Sequence, residues 1–200
     1  MFTDSLVDRH GQDIPMNELC RLLNSVCLPM AGKRISELMK HDMQFDHEEI
    51  MIELELCISA IFKPFLHYLK RLTTSPEDLV TVWMSMLSVL AQVLGQEATN
   101  EPDINPNETP AALLNIAKQH ATEHLRNAIM ILMSKGIILG DGTDACLKAV
   151  DGKDISSLTW NAIENISYVK PFIPEWKQSG NVNGEKTGTK THVMITRHSM

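Results

Sequence analysis

"TTSPEDLVTVWMSMLSVLAQVLG", residues 73–95, reads as one helix from cap to stop. Ser75 holds the N-cap position, Pro76 the first helical position, where a missing N–H costs nothing, and Asp78 closes a capping box. Leu79, Val82, Trp83, Met86, Leu87, Leu90, Val93 and Leu94 then recur at helical spacing until Gly95 ends the run. Val80 and Val89 widen this stripe beyond what one neighbour covers, so the helix is predicted to lie between two others.

The same periodicity extends in both directions. Upstream, Pro15 opens a helix through Leu19, Leu22, Leu23, Val26 and Cys27, which Pro29 breaks or kinks before a second piece from Met30 to about Met39. Asp46 and Glu49 form a capping box before Ile50, Leu54, Cys57, Ile58, Ile61, Phe62, Phe65 and Leu69, with a bend expected at Pro64. Downstream, Thr109 and Pro110 start a helix that closes at Lys135 and Gly136, and a short helix is expected around Ala145 to Val150. A last helix carries Leu158, Trp160, Ala162, Ile163 and Ile166 and is stopped by Pro171. Only "HVMIT" in the tail alternates with period two, and it has no partner strand. The expected fold is all-α, an armadillo- or HEAT-like α-solenoid segment or an irregular helical bundle.

These signals divide the chain into a flexible N-terminus (1–14), an α-helical repeat domain (15–176) and a disordered C-terminal tail (177–200) rich in Gly, Asn, Thr and Lys. Within the domain, the polar, proline-broken residues 96–108 are expected to form a mobile loop.

At 200 residues and 44% hydrophobic content the chain can bury a substantial core. A net charge of -7 with only 18 Lys and Arg excludes a general nucleic-acid binder, because phosphate neutralisation needs a concentrated basic surface. Cys20, Cys27, Cys57 and Cys146 lack C-x-x-C spacing and read as reduced thiols of a cytosolic protein. The first twenty residues lack the apolar core of a signal peptide, and polar residues are expected to interrupt every run long enough to span a membrane. The Asn-x-Ser/Thr matches at Asn107 and Asn165 then carry no glycan.

One motif points to chemistry. His120-Ala121-Thr122-Glu123-His124 has the H-x-x-E-H order of inverted zinc peptidases, in which two imidazoles ligate the metal and the glutamate acts as base. At about 100° per residue, Leu114, Ala117, Ala121, Leu125, Ala128, Ile129 and Leu132 share one face; His124 falls at its margin, His120 further out, and Glu123 on the polar side. Glu164 is formally available as a third ligand, yet no constellation supports the imidazoles, so the motif reads as helix-edge histidines.

The cluster His41, Asp42, Asp46, His47, Glu48 and Glu49 is explained by the preference of acidic residues for helix N-termini. Asp141, Asp144, Asp151 and Asp154 lack the order of a calcium loop. No phosphate-binding glycine loop or nucleophile elbow occurs. Most of the twelve methionines fall on apolar stripes.

"FLHYLKRLTTSPEDLVTVWMSMLSVLAQVLG", residues 65–95, resembles a segment near the C-terminus of the large Golgi-type ARF guanine-nucleotide exchange factors, the brefeldin A-resistance-factor family. Phe65, Leu66 and Leu69 match its Phe-Leu-x-x-Leu helix end, Ser75 the cap, and Trp83 with Met86, Leu87 and Leu90 the helix that follows. "LNSVCLPMAGKRISEL" is similar to the family's kinked helix at Leu28 and Pro29. "ATEHLRNAIMILMSKGI" resembles the family's run at Leu125, Asn127, Ile129, Met130, Leu132 and Met133. "LTWNAIENISYVKPFIP" resembles its closing helix at Thr159, Trp160, Ile163, Ile173 and Pro174.

The resemblance spans about residues 15 to 176, and the family segment facing His120 to His124 carries no such metal signature. It implies a noncatalytic scaffold or regulatory region, because the family's exchange motif, F-R-L-P-G-E-A-Q, does not occur here. The implied setting is cytoplasmic, peripheral to Golgi membranes, in vesicle-mediated transport. Implied partners are other regions of an ARF exchange factor or Golgi trafficking proteins, with peripheral membrane contact. The chain is then either a piece of such a factor or a free-standing relative of its tail. An unrelated cytosolic helical-repeat adaptor is the alternative. No catalytic, cofactor-binding or metal residue is assigned, and no cofactor is expected. A seam left open on residues 15 to 70 is expected if this stretch belongs to a longer array.

Overall fold

The computed structural model describes residues 14–38, 47–95, 110–140 and 154–181. Every regular element among them is helical. α1 (Met16–Leu22) passes through a π-helical turn (Leu23–Cys27) into α2 (Leu28–Leu38), so of the break or kink expected at Pro29 the break does not occur. A proline removes one backbone donor, and its ring presses on the carbonyl one turn earlier. The π turn, where the Leu28 N–H bonds the Leu23 carbonyl five residues back, widens the helix where the ring needs room.

α3 (His47–Leu72) continues through Pro64. α4 (Pro76–Leu94) starts where the sequence places it, but the Ser75 side chain makes no capping bond, so the expected capping box does not form. α5 (Pro110–Ser134) ends as expected at Gly136, the only described glycine with positive φ (67°). There the Gly136 N–H bonds Met133 O and the Ile137 N–H bonds Leu132 O at 2.9 Å each, and Ile137 turns into the core.

α6 (Ile155–Glu164) is capped by Asp154, which accepts the Ser157 N–H at 2.7 Å. It stops at Glu164, earlier than Pro171, because Asn165 folds its side chain back onto Asn161 O at 2.8 Å and the chain turns. A 3-10 turn (Lys170–Phe172) leads into α7 (Ile173–Asn181), which carries helix past the expected tail boundary at Trp176. The 96–108 loop, the 145–150 helix, the Asp46 cap, "HVMIT" and residues 182–200 lie outside the described residues.

The helices pair as hairpins that stack. α2, α4 and α6 pack side by side in one layer, α3, α5 and α7 in the other, and α2 lies against α3, α3 against α4 and α4 against α5. That adjacency is an α-solenoid and not a closed bundle, since each unit packs on its neighbours. α4 is the middle of the stack. It is long and apolar enough by length and composition to cross a membrane, contrary to the expectation that every such run is interrupted. Leu79, Val82, Trp83, Met86, Leu87, Leu90, Val93 and Leu94 are nevertheless buried in a helix that packs against α2, α3, α5 and α6.

Two contacts fix the spacing around α4. Gly32 of α2 approaches so closely that a Cβ there would stand 2.9 Å from Val89 Cγ1. Trp83 is fully buried, stacks on Phe65 of α3 with ring centroids 5.3 Å apart, and donates its indole N–H to Thr159 Oγ1 of α6 at 2.8 Å. Thr159 in turn donates to Ile155 O at 2.7 Å, so its hydroxyl is committed in both roles.

Trp83→Phe keeps most of the ring but removes that donor and leaves a gap. Urea denaturation is expected to show a loss of about 1–3 kcal/mol, with Trp83→Ala losing about 3–5 kcal/mol. A neutral Trp83→Phe variant refutes this role for the indole.

Candidate functional site

The histidine motif is the place to look for chemistry. α5 presents His120 and His124 one turn apart at the edge of its buried face, while Glu123 is exposed and turned away. Glu164, the formal third ligand, lies on α6 and binds Lys177 at 3.0 Å. The group that meets the imidazoles is Glu55 of α3, which sequence reasoning missed. His124 Nε2 stands 3.1 Å from Glu55 Oε1, and His120 Nδ1 stands 2.8 Å from Oε2. The first contact is directed; the second is close in distance but not aimed along a bond, and leaves His120 Nδ1 buried without a hydrogen-bond partner.

Ser59, one turn on from Glu55, donates its hydroxyl to Glu55 Oε1 at 3.3 Å. The His124 ring stacks on Phe62 of α3 with centroids 5.5 Å apart. Glu55, Ser59 and Phe62 therefore form one α3 surface that receives α5.

This arrangement is not that of a serine triad. In a serine triad the imidazole sits between hydroxyl and carboxylate so that it can take the hydroxyl proton. Here the carboxylate occupies the middle, and the Ser59 hydroxyl donates to it and not to an imidazole.

Nor does it match a metal centre. Zinc needs ligand lone pairs converging on one point about 2.0–2.2 Å from each donor, whereas the two nitrogens approach different oxygens of one carboxylate. Among the described residues no group of three His, Cys, Asp or Glu side chains is disposed to hold a metal ion. Glu48 and Glu49 lie in the exposed first turn of α3; the other members of the 41–49 cluster, and Asp141, Asp144 and Asp151, fall outside the residues whose side chains are described.

Cysteine nucleophiles are equally unsupported. Cys20, Cys27 and Cys57 are free thiols. Burial, helped by the Asp78 carboxylate, pushes the Cys20 thiol up to about 11, and burial also raises Cys27 and Cys57. Thiols held protonated are poor nucleophiles.

The motif is thus an interhelical latch. Partial burial pushes the Glu55 carboxyl up, but the hydrogen bond from His124, the charges of His124 and His120, and the Ser59 hydroxyl together hold it below its ordinary value of 4.5. A carboxyl lowered by folding stabilises the folded state above its unfolded pKa, and that contribution disappears as pH falls through the folded value. Glu55→Gln should therefore cost less than about 1 kcal/mol at neutral pH, as for half-exposed ion pairs. Its thermal midpoint should also fall less steeply than the parent's on acidification from about pH 6 to about pH 3. Parallel acid limbs for the two proteins refute the latch.

A family model described as the GBF1-like, tetratrico peptide repeat region matches residues 2–168. No curated protein and no solved structure matches the chain. The stacked helical hairpins α1 to α6 lie within the matched span. By this match over most of its length, together with its repeat architecture, the chain belongs to the GBF1-like tetratricopeptide repeat region family.

Proposed function

We propose that this region is a noncatalytic regulatory scaffold of an ARF guanine-nucleotide exchange factor, acting through protein contacts in Golgi vesicle transport. The observation that carries the reading is the family match over residues 2–168, since a GBF1-like repeat region is not itself an exchange domain. The described side chains support it in a second way. The one convergence of carboxylate, imidazole and hydroxyl is committed to joining α3 and α5, which leaves the solenoid surfaces as the working parts. Helical repeats of this kind present extended faces whose shape is fixed by hairpin stacking, a geometry suited to holding other polypeptides.

In this reading the region operates in the cytoplasm, at the periphery of Golgi membranes, with partners drawn from the rest of the exchange factor and from trafficking proteins. Membrane attachment of the whole assembly is then indirect or shared among regions.

Two measurements test this. The purified 200-residue chain is expected to leave unchanged the release of fluorescent GDP from an ARF-type GTPase. Deleting residues 15–176 from an exchange factor that carries them should leave exchange in solution intact and reduce Golgi recruitment in cells. Accelerated release by the isolated chain, or unchanged recruitment after the deletion, overturns the proposal.

A further inference from the structure

Among the described residues five large apolar side chains are exposed: Val26, Met30, Ile52, Leu56 and Phe172. Four of them belong to the first hairpin and form two pairs spaced i, i+4, Val26 with Met30 and Ile52 with Leu56. Such pairs lie on one side of a helix, and exposed pairs on adjacent helices are not the scattered single residues of an ordinary surface.

The ion pair between α2 and α3 brings these pairs together. Arg34 Nε bonds Glu53 Oε1 at 2.6 Å and Arg34 NH2 bonds Oε2 at 2.9 Å, setting the register of the two antiparallel helices. Four residues back from Arg34 is Met30, and three residues on from Glu53 is Leu56, so these two stand level. Each lies opposite its helix's buried face. Ile52 and Leu56 flank Leu54 by two residues on either side, about 160° around the helix from it, and Leu54 is 1% exposed. Met30 likewise lies away from the buried Leu28, Ala31 and Ile35. This is the side of the hairpin turned from the α4–α5 pair.

The same stripe of α3 becomes basic toward its C-terminus. Lys63 and Lys70, at seven and fourteen residues beyond Leu56, are exposed, with the exposed His67 between them. Lys63 and Lys70 have no acidic partner among the described residues. In a chain of net charge -7, an unpaired basic run continuous with an apolar patch departs from the average surface.

We propose that this outward face, with Met30, Ile52 and Leu56 as its apolar half and Lys63 and Lys70 as its basic half, docks an amphipathic helix of a partner protein. The partner helix carries aliphatic residues along one half and acidic residues along the other. Apolar anchors supply the buried area, and the lysines select orientation and reject basic helices. The apolar and basic residues follow one another along a single stripe of α3, from Ile52 and Leu56 to Lys63 and Lys70, a linear order that an amphipathic helix with an apolar and an acidic half matches along its length. The proposal rests on the reading that this region works through protein contacts.

The probe is a fluorescein-labelled helical peptide with Leu at i, i+4 and i+7 in its first half and Glu at the same spacing in its second. The control replaces each Glu by Lys. Fluorescence anisotropy with the full chain is expected to show saturable binding of the acidic peptide that weakens as salt rises. Lys63→Glu/Lys70→Glu should weaken it at least about tenfold and reverse the preference to the Lys peptide. Ile52→Ser/Leu56→Ser should weaken both peptides by a similar factor. Circular dichroism checks that each variant keeps its helix content.

Equal binding of the two peptides, or affinity unmoved by both variants, overturns the proposal. So does absence of peptide binding accompanied either by phosphatidylserine-vesicle flotation lost in these variants, or by self-association lost in Ile52→Ser/Leu56→Ser. Recruitment of the exchange factor carrying the lysine reversals separates the two levels. Lost recruitment without peptide binding leaves the scaffold reading standing and removes only this surface, whereas recruitment unaffected by deletion of residues 15–176 removes the scaffold reading itself.

Discussion

The position of every hairpin depends on the buried indole of Trp83. Its ring fills the space between α4 and α3 through Phe65, and its N–H reaches α6 through Thr159. One side chain therefore ties together elements from all three hairpins. A large aromatic with a single donor suits that task, because burial of the ring supplies energy while the hydrogen bond admits only one rotational setting of α6. Were the partner hydroxyl elsewhere, the indole donor would be buried without an acceptor, at a cost comparable to the gain.

Around this centre the stack uses different devices at its two ends. On the α2 side, Gly32 permits close approach to Val89, and the π turn lets Pro29 remain inside a continuous helix. On the α6 side, Trp160 donates to Leu139 O at 2.7 Å and Ser156 Oγ accepts the Leu139 N–H at 2.9 Å, holding the residues that follow α5 against α6. Trp176 is buried beneath a stacked Phe172, which closes the apolar interior where α7 begins. Polar groups follow the seams between helices: Arg34 with Glu53 between α2 and α3, and Glu55 with the two histidines between α3 and α5.

That placement explains why the H-x-x-E-H order does not assemble a metal site among the described residues. The H-x-x-E-H order specifies only that two imidazoles lie one turn apart; which third group meets them is decided by the neighbouring helix. α3 brings Glu55, already bonded to Ser59, which pairs with His124 and lies close to His120. Among the described residues, the most uneven surface is the outward side of the first hairpin, where apolar and basic residues continue one another along α3.

Much of the architecture was legible in the sequence. The periodicity of Leu79 to Leu94, Pro76 at a helix start and Gly136 at a helix end are local consequences of backbone geometry, and the family resemblance rests on their order along the chain. The missing capping bond at Ser75, the survival of the helix across Pro29 and the early end of α6 at Asn165 were not legible, because each depends on which rotamer or hydrogen bond wins locally among nearly equal choices. The solenoid itself, Glu55 as the partner of His120 and His124, and the alignment of Met30 with Leu56 required tertiary structure. Sequence alone determined the helices and their buried faces, since those follow from a period of about 3.6 residues. Only packing could decide which faces meet, because contacts between residues such as Glu55 and His124 leave no trace in local spacing.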